Sequence, residues 1–232
     1  MRTIAVIPCL NEEKFISDVV SRSALHVDEV IVVDDGSTDN TAAMAAGAGA
    51  RVISHKTRQG AGAATRTGFE AALQRDAEAV ITLDGDGQHN PDEIPLLLQP
   101  LIDNKADMVI GSRFLCDAKA PEYRKLGINI ITWLYNVGKK QRIIDSQSGF
   151  RAFNKQALTA IRITYPGFGF SIESLVQVRK AGMRIAEVPV SCIYHDWGST
   201  ESPWIHGLSV ATAVVEIRLK EELFSPGSKR EK

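Results

Sequence analysis

Five short apolar runs, the first four each followed by a segment of helical period, govern what the first half of this chain can become. The runs are residues 3–8, 29–33, 51–54, 79–83 and 107–110, and the helical segments cover about 12–24, 40–47, 62–75 and 92–101. Strands this uniformly apolar are buried on both faces, and their alternation with helices predicts a mostly parallel sheet covered on each side. Such sheets bind ligands beyond the carboxyl ends of their strands. The residues just after each strand therefore matter most. Composition fits one ordinary globular unit: 232 residues, 44% hydrophobic, 24% charged. A net charge of −1 offers no basic field for nucleic acid. Cys9, Cys116 and Cys192 lie far apart without metal-ligand spacing, which predicts three reduced thiols in a cytoplasmic protein.

The second half is less regular. Residues 113–124 read as a loop, 126–137 as an apolar helix, and 146–153 as a segment turning into a strand. Residues 170–181 read as a helix. Residues 184–194 read as a strand that Pro189 confines to a sheet edge, and 203–223 as a last helix, with a disordered tail at 225–232. The opening MRTIAVIP lacks the form of a signal peptide, and no run approaches the ~18 apolar residues of a membrane span. A membrane association would be peripheral or through an anchoring partner.

The fourth run ends in Leu83-Asp84-Gly85-Asp86-Gly87-Gln88. In extended chain, two carboxylates one residue apart point the same way, and the intervening Gly85 lets a ligand approach closely. Paired oxygen ligands suit Mg²⁺ or Mn²⁺, which fills its remaining positions with water and phosphate oxygens. A solvated acidic turn is the plainer reading. The second run ends in Asp34-Asp35-Gly36-Ser37-Thr38-Asp39. Thr38 or Asp39 suits a helix cap. Asp34 and Asp35 precede the turn, where a carboxylate can accept the N–H groups of uracil or guanine. The first run ends in Pro8-Cys9-Leu10-Asn11-Glu12. Asn11 suits an N-cap, and Glu12 complements a helix dipole. The turn Gln59-Gly60-Ala61-Gly62 follows the third strand and lacks the position of a dinucleotide fingerprint. It reads as a close-packed helix start whose backbone faces a nucleotide, with Arg66 either reaching phosphate or simply exposed. Arg113 and Arg151 fit phosphate through forked donors, or else structural ion pairs. Asp145 and Glu173 are acceptor-side carboxylates, Glu173 with a dipole role as the alternative.

Taken together, IPCLNEE, VIVVDDGSTDNT, RQGAGAATRTGFEAA, ITLDGDGQHNPDEIP, VIGSRF, SQSGFRAF and EVPV resemble glycosyltransferase family 2, in its dolichyl-phosphate mannose or glucose synthase branch. The resemblance runs from about residue 4 to 207. It implies an α/β GT-A fold, with a nucleotide-sugar half at 1–112 and an irregular acceptor half at 113–224. It further implies a nucleoside diphosphate sugar donor (GDP-mannose or a UDP-hexose), a divalent metal, and inversion at the anomeric carbon. By position, Pro8, Leu10, Asn11 and Glu12 border the nucleoside and Asp34 or Asp35 contacts the base. Asp84 lies by ribose and metal, Asp86 ligates the metal, and Gln88 sits near donor sugar or acceptor. The sequence departs from the family at His195 and Thr200, where arginine and lysine are common, and this weakens a diphosphate clamp there.

A lipid monophosphate is already largely ionised near pH 7, so it needs positioning more than a base. Arg113 and Arg151 favour that acceptor, a polyprenyl or dolichyl phosphate, while Asp145 keeps a saccharide hydroxyl open. Ile128, Ile130, Ile131, Trp133, Leu134 and Val137, flanked by Arg124, Lys125, Lys139, Lys140 and Arg142, suit either a membrane interface or a buried helix. A sugar nucleotidyltransferase would open with a GGxGTRLxPLT-like loop, which is absent after the first strand. A non-catalytic nucleotide-binding protein is a further alternative.

Overall fold

The structure is a computed structural model describing residues 1–116, 122–138 and 141–193, with Thr212 and Glu216 as isolated helical positions and backbone alone at 122–125. The helix expected at 203–223, the loop with His195 and Thr200, the tail, Lys139, Lys140 and the side chains of Arg124 and Lys125 lie outside the described residues.

Seven strands form one sheet. They are β1 (Thr3–Cys9), β2 (Glu29–Asp34), β3 (Arg51–Ser54), β4 (Ala79–Thr82), β5 (Met108–Ser112), β6 (Arg151–Asn154) and β7 (Ile185–Pro189). Their order is β3-β2-β1-β4-β6-β5-β7. All neighbours are parallel except β6, which inserts antiparallel between β4 and β5, with Ala152 opposite both Ile81 and Val109. The mostly parallel α/β sheet expected from the apolar runs is present. β7 takes the edge that Pro189 predicted, with Pro189 opposite Ser112.

Side-chain alternation divides the core. Ile4 and Val6 of β1, Ile31 and Val33 of β2, and Val80 of β4 face one layer. There they meet helices α3 (Ala61–Leu73), α5 (Glu122–Asn136), α6 (Lys155–Ala160) and α7 (Phe170–Lys180). Ala5, Ile7, Val30, Val32 and Ile81 face the other layer, against α1 (Ile16–Ser23), α2 (Thr41–Gly47) and α4 (Ile94–Ile102). Period-2 alternation of apolar residues on both sides is what a doubly covered sheet requires.

Three local expectations are corrected. Asn11 does not cap α1. It holds a left-handed φ of 59° and its side-chain oxygen accepts from Thr38 N–H at 2.9 Å. The helix begins later, after a turn in which the Glu12 carbonyl accepts from Phe15 and Ile16. The stretch expected to loop until residue 124 is already helical from Glu122, and α6, too short to carry a readable period, was not expected. At the second turn the cap expectation holds in part: Asp39 accepts from the Thr41 N–H at 3.0 Å.

The contact between α3 and β1 is intimate. A Cβ on Gly68 would lie 2.2 Å from Val6 Cγ1, a stiff β-branched side chain. Gly68→Ala is expected to overpack this layer and cost about 1–3 kcal/mol, read as a lower urea midpoint at unchanged slope.

Candidate active site

The carboxyl ends of β1, β2 and β4 meet at one sheet edge, stitched by side chain to backbone bonds. Asn11 N–H donates to Ser37 Oγ (2.9 Å), and Glu12 N–H to Thr41 Oγ1 (2.7 Å). Glu13 Oε2 accepts from Asn40 N–H at 3.0 Å. Asp34 is buried, with Oδ1 accepting from Ser37 N–H at 3.1 Å. Pro8 pairs with Val33 in the ladder, and Leu10 is half-buried beyond it.

After β4 come Asp84 and Asp86. The Gln88 backbone and side-chain N–H groups donate to Asp86 Oδ1 (3.0 Å) and Oδ2 (2.7 Å). Gln88 therefore holds one carboxylate of the pair. Glu12 is pushed up to about 8 by burial and by the negative charge of Asp86, Asp84 and Asp39. Burial is the larger cause, and the neighbouring carboxylates add a negative field that a cation would relieve. Burial raises Asp84 as well, against the opposing charge of Arg113 and Arg151. Among the described residues no group of three or more His, Cys, Asp or Glu side chains forms a ligand set. Two carboxylates with room for phosphate oxygens is the donor set Mg²⁺ or Mn²⁺ commonly takes, so Asp84 and Asp86 fit such an ion.

The residue facing Asp84 was not anticipated. A Cβ on Gly149 would lie 2.8 Å from both Asp84 carboxylate oxygens. Gly85 is similarly enclosed, 3.0 Å from Cys9 Cβ. His89, also missed, is buried and stacked on Phe150 at 5.3 Å, with Nδ1 accepting from Asp84 N–H at 3.3 Å. Burial pushes it down to about 4, so it stands neutral at physiological pH.

The two candidate arginines are structural in different ways. Arg113 forks onto Asp145: Nε to Oδ2 at 2.7 Å and Nη2 to Oδ1 at 2.9 Å, with its backbone N–H adding 3.1 Å. Burial opposes the Asp145 charge, but these bonds outweigh it and hold the carboxyl below its usual range. A carboxylate so engaged is a poor general base, which corrects the acceptor-side role read for Asp145. Arg151 is buried. Its guanidinium donates to the carbonyls of Ser146 (2.7 Å), Ser148 (2.7 Å) and Ser171 (2.7 Å) and to Ser174 Oγ (2.9 Å). Those bonds occupy it and correct the expectation that it binds phosphate. Its place was hidden because a sequence cannot show that a surface-type residue is spent on loop carbonyls.

The glycine-rich turn is likewise corrected. Gly60 N–H donates to Asp35 Oδ2 at 2.7 Å, while Asp35 Oδ1 accepts from Gln59 N–H (2.9 Å) and from His55 Nδ1 (2.7 Å). Both oxygens of Asp35 thus fasten the turn and leave Asp34 the better placed of the pair for a base. The N–H groups of Gly62 and Ala63, which open α3, donate to the Pro166 carbonyl at 2.7 and 3.2 Å. A Cβ on Gly60 or Gly62 would strike the Pro166 or Tyr165 carbonyl at 2.4 or 2.1 Å. Close packing was read rightly, but its partner is the 165–167 loop. Glu173 anchors that loop, accepting from Thr164 N–H (2.9 Å) and Oγ1 (2.5 Å), and it stands in the first turn of α7, where a carboxylate complements the helix dipole as the alternative reading had it. Arg66 is exposed and donates to the Ile163 carbonyl at 3.4 Å.

Comparison with known proteins bears on the family and the fold. The family model described as glycosyl transferase family 2 matches residues 4–162. The UDP-N-acetylglucosamine–dolichyl-phosphate N-acetylglucosaminyltransferase of Methanococcus voltae is 33% identical over 222 residues, covering 83% of this chain and 86% of that protein. The undecaprenyl-phosphate mannosyltransferase of Micrococcus luteus is 30% identical over 234 residues, covering 94% and 93%. Among solved structures, glucosyl-3-phosphoglycerate synthase from Mycobacterium tuberculosis, in complex with Mn²⁺, UDP and phosphoglyceric acid, superposes with a TM-score of 0.73 at 25% identity. It covers 98% of this chain and 80% of that one.

The depressed His89 has a consequence for stability. The folded state binds its proton only near pH 4, the unfolded state near 6.5. The stabilisation is whole above about pH 6.5 and drains as pH falls toward 4, by at most about 3 kcal/mol. Denaturant titrations across pH 4–7 are expected to show this slope. In His89→Gln, which keeps an acceptor and does not titrate, the slope should flatten. An unchanged slope would mean His89 does not govern it.

Proposed function

The chain belongs to glycosyl transferase family 2, and from this we propose that it moves a sugar from a nucleoside diphosphate sugar onto a polyprenyl phosphate, with Asp84 and Asp86 holding a divalent cation. It is a glycosyltransferase, and its mixed seven-stranded sheet is the GT-A fold. The acceptor and donor classes are proposed for this chain because relatives 33% and 30% identical to it over most of its length bear such names. The observation that supports the reading is the acidic edge: Asp84 and Asp86 follow β4, and a Cβ on Gly149 would lie 2.8 Å from both Asp84 oxygens, so only glycine leaves that carboxylate uncrowded; Glu12 nearby is raised to about 8, chiefly by burial and then by the charge of Asp86, Asp84 and Asp39.

The residues assign roles around that edge. When bound, Mg²⁺ or Mn²⁺ would neutralise charge on the departing diphosphate. Asp34, Leu10 and Glu12 border the nucleoside, with Asp34 as the base-reading carboxylate. Gln88 fixes the Asp86 carboxylate through its two N–H bonds, so the pair is preorganised before a donor arrives. Arg113 and Arg151 lower the cost of charge on Asp84 from behind. An acceptor that is already an anion needs no proton removed. A saccharide hydroxyl would need a base, and Asp145 is occupied by Arg113. That occupation supports the phosphate acceptor.

The test is transfer of labelled sugar into the organic phase from GDP-mannose, UDP-glucose and UDP-N-acetylglucosamine, each with polyprenyl phosphate or with oligosaccharide. Transfer to the lipid from one donor is expected. It should stop with EDTA and return with Mn²⁺ or Mg²⁺. Asp86→Ala should lose about a hundredfold or more while melting like wild type. Sugar appearing on oligosaccharide alone would move the acceptor to a hydroxyl.

A further inference from the structure

Helix α5, with Val137 just past its end, carries an apolar face that the core of the described residues does not use. Leu126 (62% exposed), Ile130, Trp133 (65% exposed) and Val137 all stand open to solvent. At about 100° per residue they fall within roughly 60° of one another, one straight stripe along about three turns. Ile131 and Tyr135 on the opposite side are buried in the core. Soluble surfaces seldom keep four large side chains, one a tryptophan, in a continuous row.

The sequence that carries the stripe is equally uneven in charge. The chain as a whole carries −1, yet residues 122–142 hold five basic side chains (Arg124, Lys125, Lys139, Lys140, Arg142) against the one acidic Glu122. In sequence these cations bracket the stripe at both ends. Apolar side chains with a tryptophan, flanked by lysine and arginine, complement a bilayer interface of anionic lipid, where each nearby cation adds about 1 kcal/mol.

The inner side of α5 ties it to the acceptor half. Thr132 Oγ1 lies 2.8 Å from Ser146 Oγ, and the Asn136 side chain makes both bonds to the Ile143 backbone, at 2.7 and 2.9 Å. The 143–149 loop so held carries Asp145, the Arg113 partner, and ends at Gly149 against Asp84. The stripe is thus separated from this loop by about one helix width, roughly 10 Å.

We infer that the Leu126-Ile130-Trp133-Val137 face of α5 docks the protein on an anionic membrane surface and so presents the acceptor half to a phosphate at headgroup level. The purpose of this docking rests on the lipid-phosphate reading above; the docking itself is measured without it. Wild-type protein is expected to sediment with vesicles containing phosphatidylglycerol and much less with pure phosphatidylcholine. The double variant Ile130→Asp, Trp133→Asp changes only exposed positions. It should melt like wild type and lose about tenfold or more of its vesicle binding. It should keep wild-type turnover of a short-chain, water-soluble polyprenyl phosphate without vesicles, and lose turnover of long-chain acceptor in them. Equal vesicle binding by variant and wild type overturns the proposal, as does absence of wild-type binding. So does a wild-type dimer that the variant splits, since a second copy would then cover the face. If both proteins ignore every polyprenyl phosphate while only wild type binds vesicles, the acceptor reading fails and the docking face stands.

Discussion

The candidate site depends on a buried guanidinium. Arg151 sits at the start of β6, inside the sheet, and spends its donors on three carbonyls and a hydroxyl from two different segments. Burial pulls its pKa down to about 10, still well above neutrality, so the charge remains. A buried charge is tolerated only where hydrogen bonds replace its water, and here the replacements are the backbone of residues 146–148 and the first turn of α7. One side chain therefore fixes the loop that delivers Gly149 to Asp84 and joins it to α7. The antiparallel insertion of β6 between β4 and β5 is what makes this possible, because it carries residue 151 to the same edge as the end of β4.

A second hub works on the nucleotide side by the same logic. Asp35 gathers Gln59, Gly60 and His55, and His55 passes on to Thr67 Oγ1 at 2.9 Å. Gly60 and Gly62 then seat the Pro166 carbonyl, whose loop Glu173 holds. A continuous polar path thus runs from the tip of β2, over the start of α3, to α7. The helix N-terminus that a glycine-rich turn seems made to offer a phosphate is filled by a carbonyl of the protein itself. Both hubs lock loops whose own sequences have weak structural preference, and they meet at α7.

Sequence made the sheet legible because burial on both faces leaves a strong signal: the five apolar runs, the edge position of Pro189 and the acidic end of β4 all appear where expected. It failed where one residue type serves two chemistries. Arg113, Arg151, Asp35, Asp145 and Glu173 have the composition of a binding site, yet each is engaged by a partner 8 to 32 residues away in sequence. Spacing along the chain carries no information about such pairings. Gly149 and His89 were overlooked for the converse reason. A glycine required by a distant carboxylate, or a histidine neutral in a core, looks the same in sequence as one that is incidental.

The electrostatic layout joins these features to function. Glu12, Asp84 and Asp86 form an acidic front at the open edge of the sheet, and the cations that moderate it, Arg113 and Arg151, stand behind, each already bonded within the protein. Arginines free to move would pair with Asp84 and Asp86 directly and quench the site. Arginines bonded elsewhere lend positive potential without occupying the carboxylates. On the proposed function, a divalent cation at the front would meet carboxylates whose surroundings are already set, Asp86 held by Gln88 and Asp84 backed by Arg113 and Arg151. The engagement of Arg113 and Arg151 within the protein keeps them behind the front, where they moderate its charge without bridging to it.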